Sequence, residues 1–96
     1  MAIQSFGDKP AERFFVTGRA TPGVGWASVR AIVKRKLDMI HYAFKLLDLR
    51  SPPGNRLEAL KGKLEGRYSI RVNDQWRVVF EWTAEGPARV RVTDYH

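Results

Sequence analysis

The feature that most constrains this chain is a change of hydrophobic period near Arg67. From there onward apolar and polar side chains alternate, which is typical of strands with one buried face. Two groups of turn-forming residues, 73–75 and 83–87, divide this stretch into three segments. The sequence therefore predicts three strands of an antiparallel meander in the C-terminal part of the chain.

The parity of the alternation also predicts the register of the first hairpin. Residues directly opposite one another in a hairpin lie on the same face, so apolar residues should meet apolar ones. A two-residue loop would mix the faces, whereas the three-residue loop 73–75 places Ile70 opposite Val78. The same register places Arg71 opposite Arg77 on the other face, where two like charges favour an anion between them.

The third strand extends both faces of the predicted sheet. One face carries the apolar residues and is expected to pack on helices, while the other is expected to be exposed and basic. By parity, the exposed face carries Arg71, Arg77, Arg91 and Tyr95.

Upstream of this sheet, the sequence predicts a short strand at 2–6 and two helices. The first helix has Asp8 as its N-cap and Gly18 at its end. The second is expected from about Trp26 to Leu49, because apolar residues recur there at intervals of three and four. Those residues are Val29, Val33, Leu37, Ile40, Phe44 and Leu47. The predicted fold is α+β, in the order β-α-α-β-β-β, with two N-terminal helices packed on one face of a small antiparallel sheet.

Composition limits the classes of protein to which the chain can belong. Its 96 residues fit one domain, 1–96, and the absence of cysteine excludes a disulfide framework, a thiolate zinc site and a thiol nucleophile. The net charge of +7 favours a polyanionic partner, which is nucleic acid, an anionic membrane or an acidic protein. No apolar run approaches the roughly 18 residues of a membrane span, so a cytoplasmic protein is expected.

The chain resembles the HigB-type toxins of the RelE/ParE superfamily of toxin–antitoxin systems. The residues that carry the resemblance are Leu60-Lys61-Gly62, the segment Tyr68 to Phe80 with its Asn73-Asp74-Gln75-Trp76-Arg77 hairpin, and the ending Asp94-Tyr95-His96. The opening residues 3–6 and both helices also lie where that family has them, which implies a RelE-like fold. Many members have a histidine where this chain has Glu58, so no role of that histidine is carried over.

The resemblance implies a bacterial toxin that cuts mRNA in the ribosomal A site, as a metal-independent and cofactor-free endoribonuclease. Its implied partners are the ribosome, mRNA and a HigA-type helix-turn-helix antitoxin. Operator DNA would be bound only through the toxin–antitoxin complex, and no membrane is involved. The catalytic residues that match the family are Lys61, Arg77, Asp94, Tyr95 and His96.

RNA cleavage by a 2′-OH needs removal of one proton, donation of another and positive charge around the phosphorus. The α-carboxylate beside the His96 imidazole favours its protonated form, which suits a general acid or a phosphate contact. Asp94 would accept the 2′-OH proton or orient His96, and the assignment of acid and base between them stays open. Tyr95 would stack on a base or contact the phosphate, and Arg77 and Lys61 would stabilise the phosphate.

Further cations are expected to bind RNA or its phosphates. They are Arg71, Arg91, Lys63, Arg30 and Lys34. Each candidate also has a plainer interpretation, because terminal residues often fray and surface charges are often only solvated.

Two other functions fit the same features of the sequence. One is a ParE-like poison of DNA gyrase, and the cluster of titratable groups at the C-terminus argues against it because such a poison does not need them. The other is a non-catalytic RNA- or DNA-binding module that uses the arginine face alone, with steeply salt-dependent binding.

Overall fold

The alternating part of the chain forms an antiparallel sheet in a computed structural model, which describes residues 2–94. Within those residues the sheet has four strands, which neighbour one another in chain order, and two α-helices precede it. The elements are α1 (Lys9–Thr17), α2 (Arg30–Tyr42), β1 (Glu58–Ala59), β2 (Arg67–Arg71), β3 (Trp76–Thr83) and β4 (Gly86–Asp94). The α+β fold class is confirmed. No helix in the range 2–94 is long and apolar enough to cross a membrane.

The predicted register of the β2–β3 hairpin is confirmed. Ile70 lies opposite Val78, and Arg71 lies opposite Arg77. The side chain of Asn73 stabilises the loop, because its Oδ1 accepts hydrogen bonds from the backbone N–H groups of Gln75 at 2.9 Å and Trp76 at 2.7 Å. An asparagine that bonds to the backbone two residues on is a common way to close such a turn.

The core lies between the helices and the apolar face of the sheet, which we call the inner face. The buried side chains of α2 meet those of the strands in one cluster, which includes Val33, Leu37, Ile40, Ile70, Val78 and Phe80. Trp26 is buried in this cluster, and Trp76 and Trp82 pack against it, as the parity of the strands predicts.

The N-terminal segment adds to the outer edge of β4 without forming a full strand. Its backbone bonds to β4 are Gln4 N–H to Pro87 O, Val90 N–H to Ser5 O, and Gly7 N–H to Val90 O. Phe6 forms a single parallel bridge with Val90, so the predicted first strand is shorter than expected.

Asp8 joins this segment to both layers of the fold. Its Oδ1 accepts the backbone N–H of Ala11 at 2.6 Å, which makes it the N-cap of α1 as predicted. Its Oδ2 accepts the backbone N–H of Val92 at 2.9 Å. One carboxylate therefore fixes the start of α1 against β4.

The second helix is shorter than predicted at both ends. A 3₁₀ turn at Ala27–Val29 precedes it, and it stops at Tyr42, because Ala43 adopts an extended conformation with ψ of 134°. The carboxylate of Asp48 then accepts both the Phe44 and the Lys45 backbone N–H groups at 3.0 Å, which starts a separate 3₁₀ turn.

Because the helix breaks, the prediction that Phe44 and Leu47 are buried is wrong. Phe44 is 82% exposed and Leu47 is 59% exposed, although their spacing places both on the apolar stripe of a continuous helix. Leu49 remains buried after the chain has changed direction. The apolar spacing therefore continues past the end of the helix, but after the break it is Leu49, not Phe44 or Leu47, that packs on the core.

Candidate nucleic-acid interface

The face of the sheet opposite the core, which we call the outer face, carries arginines from three strands. Register places Arg67 and Arg71 of β2 on it with Arg77 of β3 and Arg91 of β4. The predicted grouping of Arg71, Arg77 and Arg91 on one face is confirmed.

Arg77, however, is not exposed as predicted. It is only 6% exposed, and its Nε donates to the Ser69 hydroxyl at 2.8 Å while its Nη2 donates to the Arg56 carbonyl at 2.7 Å. Glu58 lies 3.8 Å from its Nη1. The two-residue strand β1 explains the difference, because it pairs with β2 at Ser69 and brings these groups over the outer face.

Arg71 and Arg77 face each other without needing an external anion between them. Arg77 has Glu58 beside it, and Arg71 forms an ion pair with Asp74 of the hairpin loop. The expectation that this opposition of like charges calls for a bound anion is therefore wrong. The carboxylates of the chain itself offset the repulsion.

Asp94 lies at the end of β4, beside the loop of the β2–β3 hairpin, and its side chain has the parity of the inner face because it lies opposite Trp76. It is exposed, it is paired with Trp76 in the β3–β4 register, and its Oδ2 accepts a hydrogen bond from Gln75 Nε2 at 3.1 Å. Thr93, the residue before it, lies opposite Arg77. We call this part of the sheet the hairpin end. Its members are Arg71, Asp74, Gln75, Arg77 and Asp94.

Tyr95 and His96, the other two residues of the predicted catalytic ending, lie outside the residues that the structure describes. Of the predicted pair of Asp94 and His96, the described range therefore includes Asp94 alone.

The two predicted lysines of the outer region lie at the other end of the sheet. The backbone N–H of Leu60 donates to Arg67 O at 2.8 Å, so Lys61 follows β1 next to the start of β2. Lys63 comes after it in a 3₁₀ turn at Gly62–Leu64, and both side chains are exposed. The structure does not bring Lys61 beside Asp94.

The predicted cations of the second helix belong to the helical layer. Lys34 Nζ pairs with Asp38 at 2.7 Å and lies 5.6 Å from the centre of the Phe15 ring. Arg30 is exposed and donates to the Ala27 carbonyl at 2.9 Å. Because the buried residues of α2 contact the inner face, these two cations are not part of the outer face.

Lys36 is not among the predicted site residues, but its pKa responds to the charge of Arg71 at the hairpin end. Lys36 donates through Nζ to Oδ1 of the buried Asn55 at 2.5 Å. Burial, followed by the neighbouring charges of Arg35 and Arg71, holds the pKa of Lys36 below its ordinary value. Of the charges that lower this pKa, that of Arg71 comes from the outer face.

A second group of arginines surrounds a cleft at the β4 edge of the outer face. This arginine cleft has a volume of about 170 Å³ and is lined by Gly7, Arg67, Arg89 and Arg91. Glu81 Oε1 lies 3.6 Å from Arg67 Nε and 3.7 Å from Arg89 Nη1. Sequence reasoning missed Arg67 as a site residue, although it has the same strand parity as Arg71.

Comparison with known proteins places the chain among toxins. A family model described as the RelE-like toxin of type II toxin–antitoxin system HigB matches residues 4–96. The chain is 40% identical over 96 residues to Toxin HigB-1 of Vibrio cholerae serotype O1, which covers 100% of this chain and 98% of that protein. It is 38% identical over 79 residues to an uncharacterized protein of Haemophilus influenzae, covering 82% of this chain and 77% of that one.

Proposed function

The chain belongs to the HigB-like family, the RelE-like toxins of type II toxin–antitoxin systems, and from this membership we propose that it is a ribosome-dependent endoribonuclease. It inhibits translation in the bacterial cytoplasm by cutting mRNA in the ribosomal A site. A toxin of this class has an antitoxin as its partner. We propose a HigA-type helix-turn-helix protein for that role, with operator DNA bound only through the complex of the two.

The observation that best supports this proposal is the arrangement of charge at the hairpin end. Arg77 is held by a buried hydroxyl and a backbone carbonyl, so its positive charge is fixed before any ligand arrives. Preorganised charge of this kind stabilises developing negative charge without a cost of reorganisation. Asp94, an exposed carboxylate, follows Thr93, which lies opposite Arg77, so it would act from beside the hairpin loop rather than from the arginine face.

The two arginines of the hairpin end have different roles in this proposal. Arg77 is almost fully buried, so it acts on the phosphate mainly through its field. The side chain of Arg71 is 30% exposed and pairs with the fully accessible Asp74, so it can exchange that carboxylate for a phosphate oxygen.

The proposed reaction is transfer of the phosphoryl group within the RNA strand. The 2′-oxygen attacks the adjacent phosphorus, a 2′,3′-cyclic phosphate forms, and the bond to the 5′-oxygen breaks. One group takes the 2′-OH proton, and another gives a proton to the leaving 5′-oxygen. We assign these two transfers to Asp94 and His96, with Tyr95 stacking on a base beside them.

Lys61 and Lys63 lie at the other end of the sheet from Asp94. Lys61 and Lys63 are proposed to contact the RNA strand away from the scissile bond, as solvated point charges. The step itself uses only side chains of the hairpin end and of the two residues that follow it.

Mapping of mRNA 5′ ends in a translating extract tests the proposal. The wild-type protein should produce new 5′ ends within codons in the A site. Asp94→Asn should lower the cleavage rate by about 10²-fold, because general acid–base groups contribute on that scale. Glu85→Gln is the matched control, since it neutralises an exposed carboxylate in the β3–β4 turn and should cut at the wild-type rate.

Each alternative function gives a different result in the same set of assays. Inhibition of gyrase supercoiling with intact mRNA would favour a gyrase poison. Salt-dependent RNA binding without new 5′ ends would favour a non-catalytic module, and cutting of free RNA would contradict ribosome dependence. Full cleavage by a folded protein that lacks residues 94–96 would show that the site is assigned to the wrong residues.

A further inference from the structure

The arginine cleft has more positive charge than its own carboxylate can balance. Three guanidinium groups, those of Arg67, Arg89 and Arg91, line it together with Gly7. Among residues 2–94, Glu81 is the acid that pairs with them, and it does so with Arg67 and Arg89. The cleft therefore retains a net positive charge where the three side chains converge.

The pairing with Glu81 is loose enough to be exchanged. Its two N–O distances of 3.6 and 3.7 Å exceed those of good charge-assisted hydrogen bonds. The Arg89 side chain is 65% exposed, and ion pairs in contact with water contribute little. A stronger anion can therefore take the place of the carboxylate without breaking a buried network.

Gly7 shapes the cleft by allowing the chain to approach Arg91. A β-carbon added at Gly7 would lie 3.4 Å from Arg91 Nε and 3.1 Å from the Arg89 carbonyl oxygen. The Gly7 carbonyl accepts a hydrogen bond from Arg91 Nη2 at 3.2 Å. The absence of a side chain thus leaves room for Arg91 and holds it at the wall of the cleft.

The backbone of Arg89 adopts a strained, left-handed conformation. It has a φ of 50°, which residues other than glycine seldom adopt, and it lies at a bulge where the β3–β4 register shifts between Val79 and Glu81. Its backbone N–H donates to the Ser5 hydroxyl at 2.9 Å, which helps to hold this conformation. Strain at such residues is concentrated at functional sites, and bulges commonly redirect a side chain.

From these observations we infer that the arginine cleft binds one phosphodiester group of RNA, separately from the scissile phosphate. Guanidinium groups match the geometry of phosphate oxygens and bind them in pairs. Arg91 precedes Asp94 by three residues along β4, a separation of roughly 10 Å in a strand. The cleft therefore binds a phosphate other than the one that is cleaved beside Asp94. The choice of RNA rests on the proposed function.

The phosphate comes from the mRNA strand or from ribosomal RNA, and salt-dependent binding distinguishes the two sources. The variant Arg89→Gln/Arg91→Gln is compared with Arg13→Gln/Arg19→Gln, which removes the same charge from exposed residues in α1 and just after it. The probes are a 2′-O-methylated single-stranded oligoribonucleotide, followed by fluorescence anisotropy, and purified ribosomes, followed by co-sedimentation.

Loss of one phosphate contact should lower the slope of log affinity against log salt by about 0.7 on a single strand. We expect this loss in the cleft variant and an unchanged slope in the control. A loss with the oligonucleotide identifies mRNA as the source, and a loss with ribosomes alone identifies ribosomal RNA. Slopes that match the control with both probes would overturn the inference.

Gly7→Ala provides a second variant that keeps every charge. It should crowd Arg91 and lower affinity for the same probe by about fivefold, a change typical of one weakened charged contact. Wild-type affinity in this variant, together with unchanged slopes in the double variant, would leave no role for the cleft.

The proposed function and the phosphate site can fail independently of each other. If the wild-type protein does not cut mRNA but the slopes of the cleft variant and the control still differ, the proposed function fails while the phosphate site stands. If the wild-type protein cuts mRNA and the slopes are equal, the proposed function stands while the phosphate site fails.

Discussion

The two ends of the outer face hold their arginines in different ways. At the hairpin end, Arg77 is 6% exposed and donates to the Ser69 hydroxyl and the Arg56 carbonyl. In the arginine cleft, the Arg89 side chain is 65% exposed and its carboxylate partner, Glu81, lies 3.7 Å away. Strand parity alone treats these residues as equivalent. The comparison shows that parity determines the face on which a charge lies, whereas neighbouring segments determine whether a ligand can reach it.

This difference separates two ways in which an arginine acts on an anion. A buried and hydrogen-bonded guanidinium contributes a positive charge of fixed position, because neighbouring groups hold it before the ligand binds. An exposed guanidinium with a loosely held carboxylate contributes by exchanging one anion for another. The outer face contains both kinds within one sheet.

The largest expected effect that tests this comparison is on stability. Arg77→Met should lower the free energy of unfolding by about 3 kcal/mol, because it leaves the buried Ser69 hydroxyl without its partner and removes a bonded internal charge. Urea denaturation at neutral pH measures this change.

The matched substitution in the cleft is Arg89→Met. Because this side chain is mostly solvated, the expected change in stability is within about 0.5 kcal/mol. Equal losses for the two variants would remove the distinction between the two ends of the face.

An intermediate effect is expected when the carboxylate of the cleft is neutralised. Glu81→Gln leaves Arg67 and Arg89 without their shared acid, so affinity for the oligoribonucleotide should rise about threefold at low salt, the scale of a partly exposed ion pair. Glu85→Gln adds the same charge to the molecule at the β3–β4 turn and serves as the control. Anisotropy titrations that give the same affinity for both variants would show that net charge alone accounts for binding.

The smallest effect concerns the pKa of Lys36, which burial and then Arg35 and Arg71 hold below its ordinary value. Arg71→Gln should raise the pKa of Lys36, whereas Arg91→Gln in the cleft should leave it unchanged. Lysine side-chain NMR signals followed through an alkaline titration measure both. An equal shift of the Lys36 pKa in the two variants would mean that the pKa responds to the net charge of the protein and not to Arg71 in particular.

The same lowered pKa predicts how stability depends on pH. Between the folded and unfolded pKa values of Lys36, the unfolded chain binds more protons than the folded one. The contribution of Lys36 to stability therefore rises as the pH increases through that interval. Arg71→Gln should make this rise smaller, which denaturation at a series of alkaline pH values measures.

Much of the sheet is predictable from the sequence, because a period of two leaves few registers open. Ile70 meets Val78 since a shift by one residue would turn every apolar side chain outward. The side chain of Asn73 then favours a loop of the required length. The same hairpin and the residues at the chain end carry the resemblance to the toxin family, and the match of the family model over residues 4–96 confirms it.

The break in the second helix and the cover over Arg77 are not predictable in this way. Ala43 ends the helix although the apolar period continues to Leu47, because periodicity does not detect a change in chain direction. The strand that brings Glu58 over the outer face has only two residues, too few to show alternation. A side chain predicted as exposed is therefore buried by a segment without a recognisable pattern.

The arginine cleft is hidden from the sequence for another reason. Its walls come from Gly7, from Arg67 and from the bulge at Arg89, which lie far apart along the chain. No spacing rule joins them: the pairing of β2 with β3 and of β3 with β4 brings Arg67 to the arginines of β4, and the parallel contact of the N-terminal segment with β4 adds Gly7. The residues at the chain end could be inferred from a motif, whereas the cleft requires the folded molecule.

The contact between the N-terminal segment and β4 also sets when during synthesis the toxin can mature. Asp8 and Val92 are 84 positions apart, so the second oxygen of the cap carboxylate does not gain this partner until β4 has been translated. Contacts of such long sequence separation form late, after the intervening chain is available. A nascent chain that stops short of β4 lacks both the hairpin-end acid and one wall of the cleft. Both features therefore form only after β4 has been translated.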